Sequence, residues 1–207
     1  MCGIIGYKPL NDSTVFDSRV TLAMAHLVRE SRIRGLHALG MAQPLGFGAF
    51  SQYISHDQSD WAVHRLIDFF DPGRPAIIHA RYATSGWANQ PIVVGNRALA
   101  FNGVIHMGTK EEFERAFRVT CDTDNDGEVF LRRLMMGDTP EEFIGSLKGS
   151  FAGVWFQDSQ LWAGRNEYRP LWKVEAFGAT WYASTDNIFW RAFCATPRMV
   201  AEGVERA

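Results

Sequence analysis

Cysteine is scarce in this 207-residue chain, which has only Cys2, Cys121 and Cys194. Three cysteines at such irregular spacing exclude a disulfide framework and a zinc ribbon. The histidines, His26, His37, His56, His64, His79 and His106, show neither HxxxH spacing nor a CxxC partner. No metal site is expected, and no cofactor motif is present. Basic runs are missing too: 21 Lys and Arg stand against 23 Asp and Glu, for a net charge of −2, so there is no electrostatic footprint for nucleic acid. No apolar stretch approaches the length of a membrane span, and the N-terminus lacks the charged-then-apolar pattern of a signal peptide. A reducing cytoplasm, where a thiol stays free, is the expected location. Repeats, low-complexity tracts and linkers are also lacking, so residues 1–207 are expected to form one domain.

What the chain does have is rings. Fifteen Phe, seven Trp and five Tyr make aromatic packing the expected basis of the core. A short opening strand is followed by helix caps at Asn11-Asp12-Ser13. Apolar residues then recur at Phe16, Val20, Met24, Leu27 and Val28, a helical stripe that Gly35 closes. Ala38 to Phe50 reads as strand-turn-strand, and Trp61 to Phe70 as a short helix ended by Asp71-Pro72-Gly73. Ala76 to Tyr82 is a buried strand running into a polar loop that reaches Pro91. Ala98 to Phe101 is another strand, ending at Asn102-Gly103. Helices are predicted over Lys110–Arg118 and Glu128–Met136, and a third starts at Pro140, a residue suited to a first helical position. Strands follow at Phe151–Phe156, Gln160–Gly164, Leu171–Phe177 and Ala179–Ser184, then a short helix around Ile188–Phe193. Strands clustered around groups of helices favour an α+β layered domain over a doubly wound one.

Cys2 carries the most chemistry. A small residue at position 2 permits an aminopeptidase to remove Met1, leaving a thiol and a free α-amine on one residue. The thiolate is the nucleophilic form, and an amine that titrates at roughly 7.7–8.0 can accept its proton at neutral pH. The plain alternative is a small, buried residue at the start of a strand.

Other stretches form a set with Cys2. They are Met1-Cys2-Gly3-Ile4-Ile5-Gly6, Arg34-Gly35-Leu36-His37-Ala38-Leu39-Gly40, and His79-Ala80-Arg81-Tyr82-Ala83-Thr84-Ser85-Gly86 followed by Phe101-Asn102-Gly103-Val104-Ile105. Asn125-Asp126-Gly127-Glu128-Val129, Gly149-Ser150-Phe151-Ala152 and Arg165-Asn166-Glu167-Tyr168-Arg169-Pro170-Leu171 complete it. Taken in order, this set resembles the class II glutamine amidotransferase domain, a member of the N-terminal-nucleophile hydrolases, from Cys2 to about Gly203. The second stretch departs from the family loop, with His37 and Ala38 in place of Asp and Ser. Gln90 stands where many relatives have histidine before a proline.

The resemblance implies a four-layer αββα sandwich of two stacked antiparallel sheets flanked by helices. It also implies glutamine hydrolysis, with Cys2 attacking the side-chain amide and a γ-glutamyl thioester as intermediate. L-glutamine would be the ligand, and a separate synthase subunit the acceptor of the ammonia. Arg81 matches the arginine that binds the glutamine carboxylate, and its fork suits that task; otherwise it is a strand-end arginine in an ion pair. Asp126 matches the aspartate for the substrate ammonium, although Asp122 and Asp124 lie close and an N-cap is the plain alternative. Asn102 and Gly103 match the oxyanion donors, by side-chain amide and backbone N–H; Asn-Gly is also a common type I′ hairpin turn. Thr84, Ser85 and Gly86 are expected to line the substrate end of the pocket, or else to form a solvated loop. His79 reads as a satisfied core histidine, and Cys121 and Cys194 as buried thiols. Two other functions stay open: a different N-terminal-cysteine amide hydrolase such as an acylase, and a non-catalytic glutamine-binding or assembly module.

Overall fold

Side chains alternate across a β-strand, so each strand buried on both faces contributes to two layers of core. The computed structural model describes residues 2–10, 18–35, 37–57, 59–82 and 89–207. In chain order these residues form β1 (Gly3–Pro9), α1 (Ser18–Arg32), β2 (Ala38–Gly46), β3 (Ala49–Ser55), α2 (Asp60–Phe69) and β4 (Ala76–Arg81). Next come β5 (Ile92–Val94), β6 (Arg97–Val104), α3 (Lys110–Phe117), α4 (Gly127–Met135) and α5 (Pro140–Ser146). The remainder is β7 (Ser150–Gln157), β8 (Gln160–Arg165), β9 (Trp172–Ala176), β10 (Ala179–Ala183), α6 (Asp186–Phe193), β11 (Arg198–Met199) and β12 (Gly203–Arg206).

The strands make two antiparallel sheets. A seven-stranded sheet has the order β11-β9-β10-β1-β4-β2-β3, and a five-stranded sheet the order β12-β8-β7-β6-β5. One apolar cluster joins the outer face of the larger sheet (Ile5, Tyr7, Ile78, Trp181) to α1, α2 and α6 through Met24, Leu66 and Phe189. A second joins Phe101, Phe151 and Trp155 of the smaller sheet to α3, α4 and α5 through Phe113, Phe130 and Phe143. Between the sheets lies a third cluster that mixes alanines (Ala42, Ala98, Ala100, Ala152) with larger apolar residues such as Ile4, Ile77, Phe156 and Tyr182. The expected αββα sandwich is therefore what the chain forms, and rings do fill its outer layers: Phe130 packs edge-on against Phe143 and Trp155 at centroid distances of 5.4 and 5.1 Å.

Helices α3 and α4 start and end within a residue of their predicted bounds, and Pro140 opens α5 as expected, beside a Thr139–Glu142 capping box. The expected caps at Asn11-Asp12-Ser13 lie outside the described residues. Three short strands, β5, β11 and β12, were not expected. The plain alternative of an Asn102-Gly103 turn is not what forms, and the strand expected to end at that pair runs further. Strand β6 runs on to Val104, with Asn102 opposite Ala152 and Gly103 opposite Phe151. A glycine is needed at Gly103 because a Cβ there would stand 2.0 Å from the Ser150 carbonyl oxygen. Two-residue turns with positive φ at each residue occur at Phe47-Gly48, Asp158-Ser159 and Phe177-Gly178. Cys194 is a correction: it is exposed, because it caps α6 in the left-handed conformation just past the buried face.

Two glycine substitutions test the packing. A Cβ on Gly127 would lie 2.1 Å from the Phe101 ring, whereas one on Gly145 would meet nothing within 4 Å. Gly127→Ala should cost about 1–3 kcal/mol by overpacking. Gly145→Ala should stabilise by about 0.4–1 kcal/mol through the unfolded chain. Thermal unfolding of both variants measures the contrast; a Gly127→Ala protein as stable as the parent would contradict it.

Candidate functional site

The inward-facing side chains of the seam turn polar at one end. Along β4 the residues facing the smaller sheet follow Ile77 with His79 and Arg81, and along β6 those facing the larger sheet follow Ala98 and Ala100 with Asn102. Cys2 precedes β1 on the edge that pairs with this part of β4, where Gly3 lies opposite Ala80. The polar positions open into a cavity of about 580 Å³ whose lining includes Cys2, Arg81, Asn102, Gly103, Asp124 and Asp126. Thr84, Ser85 and Gly86 lie outside the described residues. Of the two other aspartates considered, Asp124 lines the cavity and Asp122 does not; Asp122 is exposed and paired with Arg132 at 2.7 Å.

Several contacts fix Cys2. Its Sγ accepts from the Tyr82 backbone N–H at 3.4 Å, a donor well placed to stabilise a thiolate. Its carbonyl oxygen accepts from Arg34 Nε at 3.2 Å and from Ser184 Oγ at 3.4 Å. Arg81 ends β4 nearly buried and donates from Nη1 to Asn89 Oδ1 at 3.1 Å.

Asn102 is 5% exposed, and its Nδ2 is buried without a hydrogen-bond partner. A buried amide donor left unpaired costs free energy, and native structures rarely tolerate one without a use for it. Gly103 complements it. Backbone N–H groups two residues apart point to the same edge of a strand, and Phe101 N–H points away from β7 to Gln90 Oε1 at 2.7 Å. The Gly103 N–H therefore points to that same edge, beyond the last β5 pairing at Leu99. Gln90, the odd residue before Pro91, thus acts as a surrogate strand carbonyl for Phe101.

Asp126 is half-buried at the start of α4, but it makes no side-chain cap to that helix. Its Oδ2 instead accepts from the backbone N–H groups of Ile105 and His106 at 2.6 and 3.0 Å. Burial raises its pKa above the ordinary aspartate range, with the N–H groups of His106, Ile105 and Gly127 pulling the other way. His79 is fully buried in the cavity wall, and burial holds its pKa down to about 3, so it stays neutral. Neither ring nitrogen meets hydrogen-bond geometry. His79 is in the core, as expected from the sequence, with its ring beside the Phe101 backbone but short of full hydrogen-bond geometry. Among the described residues, no group of three or more His, Cys, Asp or Glu side chains is placed to hold a metal. Nor is any helix of the described residues long and apolar enough to cross a membrane.

Residues 79–191, more than half the chain, match the family model of the glutamine amidotransferase domain. The chain belongs to the class II glutamine amidotransferase domain family. A curated relative, the glutamine–fructose-6-phosphate aminotransferase (isomerizing) of Gluconobacter oxydans, is 27% identical over 186 residues, covering 83% of this chain and 29% of that protein. The chain thus spans less than a third of that relative's length. Among solved structures, the glutamine phosphoribosylpyrophosphate amidotransferase of B. subtilis matches all of this chain and 49% of its own, at a TM-score of 0.71 and 20% identity. A class-II glutamine aminotransferase domain protein from Silicibacter pomeroyi matches all of this chain and 98% of its own, at 0.60 and 12%. These structures show that the amidotransferase chain shares their N-terminal-nucleophile fold.

Sequence reasoning named Cys2, Arg81, Asn102, Gly103 and Asp126, all of which line one cavity. It gave no role to Gln90, Tyr82 or Arg34. Gln90 had a signal, since it broke the family pattern; the other two act through contacts that only the fold creates. Thiol alkylation tests the placement of the cysteines. Burial, reinforced by Glu128 and Glu114, pushes the Cys121 thiol up to about 12, while Cys2 and Cys194 are both accessible to solvent. Iodoacetamide at neutral pH should therefore modify Cys2 and Cys194 and spare Cys121, as read by peptide mass spectrometry. Early labelling of Cys121 would contradict the packing.

Proposed function

We propose that this domain hydrolyses the side-chain amide of L-glutamine through Cys2. The observation that carries this reading is the unpaired, buried Nδ2 of Asn102 in the cavity that also holds the Cys2 thiol. Removal of Met1 frees the α-amine of Cys2, which takes the thiol proton as Sγ attacks the amide carbon. A C–S bond forms, and the carbonyl oxygen becomes an oxyanion that accepts from Asn102 Nδ2 and the Gly103 N–H. The C–N bond then breaks, the ammonium of Cys2 returns its proton, and ammonia leaves a γ-glutamyl thioester. Water, deprotonated by the same amine, attacks the thioester; a C–O bond forms, the C–S bond breaks, and glutamate is released with the thiol restored.

Recognition of the amino-acid end divides between two charges. Arg81 takes the α-carboxylate, with Asn89 steadying its guanidinium. Asp126 takes the α-ammonium, its carboxylate fixed by two backbone N–H groups. A cavity for an acyl chain would have no use for both charges, which favours glutamine over a simpler amide. The ammonia passes to an acceptor; among the relatives, the Gluconobacter protein is named for fructose 6-phosphate.

Asn102→Ala should lower kcat and kcat/KM together by about a hundred- to a thousandfold, with KM for glutamine little changed, since the donor acts on a charge present only in the transition state. Steady-state glutaminase kinetics on a variant with unchanged Tm decides this; near-normal kcat would remove Asn102 from the mechanism. Asp126 supplies a pH test. Protonation removes the charge that holds the ammonium, and its pKa lies above the ordinary range, so KM for glutamine should climb as pH falls while an ordinary aspartate would still be ionised. In Asp126→Asn, KM should be high at all pH and this acid limb should vanish. A limb that persists in that variant would assign the titration elsewhere.

A further inference from the structure

Glu128 is fully buried on the first turn of α4, yet it is not part of the cavity lining. Its carboxylate is saturated by the segment that leads to Asp126. Oε1 accepts from the Asp122 N–H and from Arg132 Nε, each at 2.8 Å. Oε2 accepts from the Thr123 N–H and from Thr123 Oγ1, each at 2.8 Å. Thr123 Oγ1 in turn accepts from the Asn125 N–H at 3.3 Å, and Asn125 Oδ1 accepts from the Gly127 N–H at 3.0 Å. Arg132 closes the ring by pairing with Asp122 Oδ2 at 2.7 Å. A continuous set of bonds thus runs from Glu128 through Thr123 and Asn125 to both residues flanking Asp126.

Burial alone would raise the Glu128 pKa; the donors from Asp122, Thr123 and Arg132 outweigh it and hold the group below the usual range. The carboxylate is therefore ionised while the segment is folded against it. A helix N-terminus favours that charge further. Asp126 itself is gripped on the far side by the N–H groups of Ile105 and His106, on the chain that leaves β6. Its carboxylate is thereby held between two supports, one from the strand that carries Asn102 and one from Glu128.

We propose that Glu128 is a positioning residue for substrate recognition: by folding residues 122–125 onto α4 it aims the Asp126 carboxylate at the α-ammonium of glutamine. This inference rests on the glutamine reading above. Gln in place of Glu128 keeps the size but turns an acceptor into an NH₂ donor facing other donors, so residues 122–125 loosen and Asp126 loses its aim. The reacting atoms, Cys2 and Asn102, are untouched.

The test compares L-glutamine with 4-carbamoylbutanoate, which has the same amide and carboxylate but no α-ammonium. Glutaminase kinetics are measured on the parent chain lacking Met1, on Asp126→Asn and on Glu128→Gln. Asp126→Asn should raise KM for glutamine about tenfold or more, the scale of a lost bond to a charged group, and leave kcat/KM for 4-carbamoylbutanoate unchanged. Glu128→Gln should shift the preference between the two substrates in the same direction, through KM, with kcat altered by less than about threefold. A Glu128→Gln protein with a lower Tm but the parent's preference would reduce Glu128 to a stabilising residue and overturn the proposal. Should Asp126→Asn itself keep the parent's preference, the ammonium reading fails, and the proposal falls with it. Thr123→Val removes one bond of the chain with little change of shape and guards against misfolding of Glu128→Gln. It should move the preference part of the way, and no movement in a folded Thr123→Val protein would also overturn the proposal.

Discussion

The stacking of two antiparallel sheets through one apolar seam is the constraint on which the rest of this structure depends. Ala42, Ala98, Ala100 and Ala152 share that seam with Ile4, Ile77, Phe156 and Tyr182. Because strand alternation is strict, every second residue of β1, β4 and β6 must face that seam. Where those inward positions change from alanine and isoleucine to His79, Arg81 and Asn102, the seam cannot stay dry and closed. It becomes a cavity lined by a guanidinium, an amide and, from the start of β1, a thiol. A one-residue slip in β4 or β6 would turn these groups into the helical layers and destroy the site together with the core.

The same packing places polar groups deep in the molecule. His79 and the Nδ2 of Asn102 sit buried between the sheets, at the end of the seam that opens into the cavity. The sandwich itself is supported from outside by aromatic layers, so the seam is free to give up packing at one end. Stability is concentrated in the ring clusters under the helices, and chemistry in the thin layer between the sheets.

Much of the architecture was legible in the sequence because helical and strand periodicities are local properties. α3, α4 and α5 were readable from their apolar spacing and from Pro140, and β7, β8 and β10 from their alternation and the turns between them. The short β5, β11 and β12 carry too few residues to show any period. The end of β6 was less legible: Asn-Gly favours a turn in isolation, yet here the backbone of β7 draws the pair into a ladder. Cys194 misled because burial depends on where α6 ends against the sheet. The residues expected in the site were legible through a resemblance in motif order. The partners that aim them, such as Gln90 for Phe101 and Glu128 for residues 122–125, are separated from their targets by the fold or conceal their role in a helix pattern. Glu128 in particular reads as an ordinary first-turn acid until its buried carboxylate is seen to be filled by the preceding segment.

The central claim is that Cys2 acts through its own free α-amine, and the most direct test is the glutaminase rate as a function of Met1 removal. Preparations with different fractions of Met1-free protein, quantified by intact mass, should give rates proportional to that fraction and extrapolate to zero for protein retaining Met1. An acylated Cys2 nitrogen has no basicity to offer the thiol. Equal rates in fully processed and unprocessed protein would contradict the account.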